Sequence, residues 1–205
     1  MENNKKLLIV LAIFILVLAG AGVLYSQLLP QFDQDQLNVL TTQPPETTSA
    51  TTAATTPETT AGTVAPEYIA PDFTVYDAQG NAYRLSDFFG KPIVLNFWAS
   101  WCGPCQSEMP DFNEKYAGLG GDVHFVMVNM TDGGRETVET ASAFIEKNGY
   151  NFPVFFDTTG EAAATYGAYS LPTSFFINAE GHVIAQAVGA IDAATLQQGI
   201  DMITN

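Results

Sequence analysis

Positive charge and thiol groups are both scarce in this sequence. Among 205 residues there are seven Lys and Arg against 22 Asp and Glu, a formal net charge of −15 at pH 7. Lys5 and Lys6 account for two of the seven bases and Glu2 for one acid, so five bases face twenty-one acids beyond residue 25. A chain this negative lacks the basic surface that nucleic acid or an anionic lipid face requires. Its field would instead draw in basic proteins.

The thiols are Cys102 and Cys105, and the histidines are His124 and His182, two of each. Structural zinc takes four ligands from Cys and His, and no second pair stands here at ligand spacing, so no metal site is expected. Covalent haem attachment needs His directly after the second cysteine, where this chain has Gln106. An inert disulfide staple stabilises by closing a loop, and a bridge between Cys102 and Cys105 would close almost none. His124 and His182 form no recognisable triad with the cysteines and read as surface or strand-end residues.

The cysteines lie in Trp98-Ala99-Ser100-Trp101-Cys102-Gly103-Pro104-Cys105. The apolar run Ile93-Val94-Leu95-Asn96-Phe97-Trp98 leads into them, and a helical pattern carrying Met109, Phe112 and Tyr116 follows, with Pro110 expected to kink it. The order is strand, tight turn, helix, with the cysteines at the turn. A helix start leaves N–H groups unpaired and places the positive end of the dipole beside its neighbour, here Cys102. Its thiolate is thereby favoured, and the thiolate is the form that attacks disulfides. Cys105, one turn on, is placed to resolve the resulting mixed disulfide. The redox-active Cys102–Cys105 pair would serve without any other cofactor. Trp101 is expected as an exposed platform beside the active sulfur, and Trp98 as core.

At these residues, and in Pro110 and Leu171-Pro172-Thr173 further on, the chain resembles the thioredoxin superfamily. Within it the chain looks most like the membrane-anchored TlpA/ResA-like branch, through Ala70-Pro71-Asp72-Phe73, Leu85-Ser86-Asp87-Phe88, Gly90-Lys91-Pro92 and Glu108-Met109-Pro110. The resemblance covers residues 66–205 and implies a thioredoxin-like α/β fold. That fold has a central mixed sheet flanked by helices, an N-terminal hairpin and an extra strand and helix in its middle. It also implies that Pro172 is a cis-proline packed against the cysteine pair, leaving the backbone of Leu171 to pair with an incoming peptide. Thioredoxins carry a buried aspartate where this chain has Asn96, so the usual proton acceptor is missing. Glu108, three residues after Cys105 and on the same helical face, could take the Cys105 proton instead. The branch places a glutamate there too.

At the amino terminus, residues 1–6 read as a cytoplasmic tail and residues 7–25 as an apolar span. At helical rise that span is about 28 Å long, enough for a bilayer core. Ala19-Gly20-Ala21 resembles a signal-peptide cleavage site, but the apolar run continues past it, and a retained anchor is expected. Lys5 and Lys6 put the tail inside and the remainder in an extracytoplasmic compartment, as a single-pass protein, and the resemblance to the TlpA/ResA-like branch implies a bacterial cell membrane. Residues 26–65 change to Thr, Pro, Ala, Gln and Glu, a composition with little to bury that should stay unfolded as a tether. Those threonines fit O-glycosylation and an unmodified spacer alike.

Residues 66–205 suffice for one domain. The order expected is a hairpin around Gln79-Gly80-Asn81, a central strand from Ile93 and a second buried strand from His124. A helix over 137–147, a short strand over 152–156, a short helix over 161–166, a terminal hairpin and a last helix from about Asp192 complete it. Asp192 is a candidate N-cap.

Together these readings point to a membrane-tethered disulfide reductase acting on protein substrates. The resembled branch is fed electrons by a membrane thiol transporter of the CcdA/DsbD type, and some members keep apocytochrome c thiols reduced for haem attachment. The Gly103-Pro104 dipeptide is the one found in reducing thioredoxins. An oxidase of secreted thiols is the alternative within the same chemistry, and a non-catalytic docking module on a stalk is the alternative outside it. A peroxidase ranks third, because the Pro-x-x-x-Thr-x-x-Cys pattern is absent.

Overall fold

The computed structural model describes residues 37–39, 68–119 and 121–204. The expected tail, the apolar span and most of the tether lie outside the described residues. No helix among the described residues is long and apolar enough to cross a membrane.

Among the described residues eight strands form one mixed sheet: β1 (Asn38–Val39), β2 (Thr74–Tyr76), β3 (Ala82–Arg84), β4 (Ile93–Trp98), β5 (His124–Asn129), β6 (Val154–Phe156), β7 (Thr173–Ile177) and β8 (Val183–Val188). Their spatial order is β1-β8-β7-β4-β5-β6-β2-β3. The helices are α1 (Gly103–Gly118), α2 (Val138–Asn148), α3 (Glu161–Tyr166) and α4 (Ala193–Thr204), with a 3-10 turn at Leu85–Phe88. The strand and helix expected in the middle are β6 and α3, and the two hairpins are β2–β3 and β7–β8.

β4 is central, parallel to β5 and antiparallel to β7. All six of its residues are buried, as a strand covered on both faces must be. Side chains alternate across a sheet, so Val94 and Trp98 pack with Met109, Phe112, Leu196 and Ile200 of α1 and α4. Ile93, Leu95 and Phe97 pack on the opposite face with Phe73, Leu85 and Ala162. By the same alternation Asn96 faces the α1 side, between Val94 and Trp98. Its register partner on β7 is Ser174.

Local chemistry sets the helix ends. Cys102 caps α1 with extended backbone, and Pro104 occupies the first turn, where a missing N–H costs nothing. α1 continues through Pro110 to Gly118. Thr137 caps α2 through its hydroxyl, and the helix stops at Gly149, whose φ of 68° suits glycine. Asp192 Oδ1 accepts the Thr195 N–H at 2.8 Å and caps α4.

One strand departs from expectation. Residues 37–39 fall within the segment expected to stay unfolded, yet they pair with β8 through Asn38↔Gln186 and Val39↔Ala185. Leu37 is buried in the α1-side core. The surrounding Thr- and Pro-rich composition hides this short apolar step. The free edge of β8 offers it backbone partners that no local pattern announces.

Candidate active site

Cys102 and Cys105 are joined as a disulfide at the start of α1, with their Cα atoms 5.2 Å apart. The two sulfurs are not equivalent: Cys102 retains 5% exposure, whereas Cys105 is wholly buried. The Cys105 N–H donates to Cys102 Sγ at 3.3 Å, so a backbone donor of the first helical turn already faces that sulfur. This is the environment that stabilises a thiolate once the disulfide opens.

Cys102 opens onto a groove of about 610 Å³ that Trp101, Pro104, Arg135, Tyr169 and Leu171 help to line. Trp101 is 42% exposed and Tyr169 79% exposed, whereas Trp98 is core. The Leu171–Pro172 bond is cis. Leu171 reaches the groove wall, while Pro172 is buried and its carbonyl accepts the Gly189 N–H at 2.8 Å. The structure therefore brings together Trp101, Cys102 and Leu171 at one surface, with Cys105 buried and Pro172 adjoining Leu171 in the chain but not lining the groove.

Glu108 is not a solvated helix residue: it is 2% exposed. Its Oε1 accepts Asn96 Nδ2 at 2.9 Å and its Oε2 accepts the Ile191 N–H at 3.1 Å. Burial pushes its carboxyl up to about 7, against the two donors that favour the charged form. A carboxyl that titrates near neutrality inside the core is suited to hold or release one proton there. His124 is half-buried at the start of β5 and stacks edge-on against Phe88. Among the described residues no group of three or more His, Cys, Asp and Glu side chains is placed to hold a metal ion.

Three residues of the site were not anticipated. Glu136, in the β5–α2 loop, is fully buried and bonded to Ser100 and Asn129. Its neighbour Arg135 lays its guanidinium over the Trp101 ring, 3.9 Å from the centroid. Tyr169 projects from the turn before Leu171. No spacing rule marks a loop glutamate as buried, so Glu136 had no sequence signal. Arg135 could have been noticed as one of only five bases beyond residue 25, and Tyr169 as an aromatic three residues before Pro172.

Known proteins resemble this chain in sequence and in fold. Residues 66–186 match the model of the AhpC/TSA family. The thiol-disulfide oxidoreductase ResA of Bacillus thuringiensis subsp. konkukian is 38% identical over 138 residues, covering 66% of this chain and 76% of the relative. ResA of Bacillus subtilis is 34% identical over 135 residues, 65% of this chain and 73% of the relative. Among solved structures, StoA from Bacillus subtilis matches with a TM-score of 0.56 at 28% identity, over 64% of this chain and 98% of that one. The exposed lipoprotein thioredoxin Etrx1 of Streptococcus pneumoniae matches with a TM-score of 0.55 at 34% identity, over the same two shares.

Proposed function

Because this chain belongs to the AhpC/TSA family and is a ResA-like thiol-disulfide oxidoreductase with a thioredoxin-like fold, we propose that it works as a reductase of protein disulfides outside the cytoplasm. In this reading residues 7–25 hold it to the membrane, and the tether that follows gives the domain its reach. The observation that carries the assignment of roles is the asymmetry of the pair, one sulfur at a groove wall and the other sealed in the core.

In the reduced enzyme the Cys102 thiolate attacks one sulfur of a substrate disulfide. A Cys102–substrate mixed disulfide forms and the other substrate sulfur leaves as thiolate. Cys105 then gives up its proton and attacks Cys102 Sγ, which restores the Cys102–Cys105 disulfide and frees the second substrate thiol. Two electrons have passed from the enzyme dithiol to the substrate. Glu108, titrating near 7, is the internal acceptor for the Cys105 proton, in the place of the missing aspartate at Asn96. Trp101 and Leu171 hold the substrate chain, with the Leu171 backbone pairing to it and Pro172 fixing that backbone. A membrane thiol transporter of the CcdA/DsbD type would return the enzyme to the dithiol. Apocytochrome c and envelope repair enzymes are the substrates that fit this reading.

The test is covalent capture with full-length Cys105→Ser in the envelope of the native host. The variant lacks the resolving thiol, so disulfide-bearing substrates or the electron-donating transporter should remain bonded to Cys102. Newly secreted proteins with unpaired cysteines in their place would indicate an oxidase. No capture, together with full function of a Cys102→Ser/Cys105→Ser double variant, would indicate a docking module.

A further inference from the structure

Cys102 can act only where the turn before it places it, and that turn is held from both sides. Ser100, two residues upstream, donates its N–H to Glu136 Oε1 at 2.7 Å and its hydroxyl to Glu136 Oε2 at 2.7 Å. Its carbonyl accepts Gln106 Nε2 from α1 at 2.6 Å. The Cys102 N–H closes the turn onto the Ala99 carbonyl at 3.1 Å. All three polar groups of Ser100 are therefore fixed, two of them by a single carboxylate.

That carboxylate is itself anchored. Glu136 Oε1 also accepts Asn129 Nδ2 at 2.6 Å, and Asn129 Oδ1 accepts the Thr131 hydroxyl at 2.9 Å. Asn129 is the last residue of β5 and the register partner of Trp98, the last residue of β4. The loop carrying Glu136 is closed on itself, because Asp132 Oδ1 accepts the N–H of Gly134 and of Glu136, and the Glu136 carbonyl accepts those of Asp132 and Gly133. Glu136 and Asn129 are both 0% exposed.

A fully buried carboxylate is costly unless its lone pairs are used, and here both oxygens serve one local purpose. We propose that Glu136 is a positioning residue of the redox centre: it bolts the turn that presents Cys102 to the end of β5 and to the loop that sets Arg135 on Trp101. It touches neither sulfur and acts through Ser100. Without it, Ser100 and Asn129 lose their acceptor and the turn loses its register with the α1 N-terminus. Cys102 would then hold its thiolate less well. A glutamine at 136 preserves the arrangement, since its amide oxygen still accepts from Ser100 N and Asn129 while its nitrogen donates to the Ser100 hydroxyl oxygen.

The inference rests on Cys102 being the attacking thiol, and the experiment separates the two questions. The full-length protein, reduced, is treated with iodoacetamide across a pH series, and the modified cysteine is identified by mass spectrometry. Modification of Cys105 in the unsubstituted protein would overturn the assignment of Cys102 and leave nothing for Glu136 to position. With Cys102 as the target, Glu136→Ala should slow its alkylation at pH 7 by about tenfold and raise its titration midpoint, the scale on which small misplacement of a reacting group is felt. Glu136→Gln should stay within about threefold of the unsubstituted protein, as expected where geometry dominates. A Glu136→Ala protein that folds and alkylates at the unsubstituted rate would overturn positioning. So would a Gln variant as slow as the Ala variant, since the charge would then matter more than the geometry. If Glu136→Ala does not fold, Ser100→Ala carries the test by removing the hydroxyl contact alone. Slowing by about threefold supports the role, and an unchanged rate overturns it.

Discussion

Asn96 donates its side-chain N–H to Glu108 Oε1 at 2.9 Å and to Ser174 Oγ at 3.0 Å. The strand that enters the redox turn, the helix that leaves it and the neighbouring strand β7 thus meet at one buried amide. Glu108 is held in the core by this contact and by the Ile191 N–H, and its titration is the most informative single property of the domain.

Glu108 should make the oxidised protein less stable as pH rises through neutrality. Its carboxyl is raised in the folded state to about 7, chiefly by burial, from an ordinary value of 4.5. Between those two values the unfolded chain has lost the proton and the native protein keeps it. Stability therefore falls with rising pH across this window and levels off above the folded value. From pH 5 to pH 8 the loss attributable to this group is about 2–3 kcal/mol. Urea unfolding of the unsubstituted protein and of Glu108→Gln at both pH values should show that loss only in the former; parallel curves would contradict the assignment.

Replacing Asn96 by Leu should push the Glu108 carboxyl higher still. The Asn96 donor favours the charged form, and a leucine of similar size removes it without opening room for water. A further rise of about one pH unit is expected from losing one hydrogen bond to a carboxylate. Side-chain carbonyl NMR titration of Glu108 reads this directly. A midpoint that stays put or falls would show that Asn96 is not a significant partner.

Asp72 should matter far more to stability than Arg84, although the two form an ion pair. Asp72 accepts the N–H groups of Phe73 and Ser86, the Ser86 hydroxyl and Arg84 Nε. It thereby ties the approach to β2 to the 3-10 turn. Partial burial opposes its ionisation, but the Ser86 and Arg84 donors hold its carboxyl below the usual range. The Arg84 side chain is 65% exposed, and exposed pairs contribute little. Asp72→Ala should cost about 2 kcal/mol through the orphaned donors and Arg84→Ala less than about 1 kcal/mol. Equal losses in denaturant midpoints would show that the ion pair, not the backbone tie, dominates.

Gly199→Ala should destabilise the domain by about 1–3 kcal/mol or more through overpacking. A Cβ at Gly199 in α4 would run into the ring of Phe176, which is wholly buried in β7. A lowered melting temperature that Phe176→Leu partly restores in the double variant is the expected signature. An unchanged melting temperature would mean that α4 shifts away from the sheet at no cost.

Much of this architecture was legible because it is encoded between near neighbours. The apolar run 93–98 specifies a buried strand by its composition alone. The strand, turn and helix around Cys102 and Cys105 follow from residues within one turn of each other, as does the cap at Asp192. Glu108 could be placed on the Cys105 face of the helix by counting residues, but its burial could not be counted. That depends on Asn96 and Ile191, 12 and 83 positions away, and burial is what moves its proton to neutral pH. Glu136 reaches Ser100 across 36 positions, and Asn38–Val39 find β8 across the sheet edge. The sequence by itself determined which sulfur caps the helix and which chemistry the pair can perform. The tertiary structure alone decided which carboxylates lie in the core and what they hold, because desolvation and hydrogen bonding between distant segments exist only once the chain has packed.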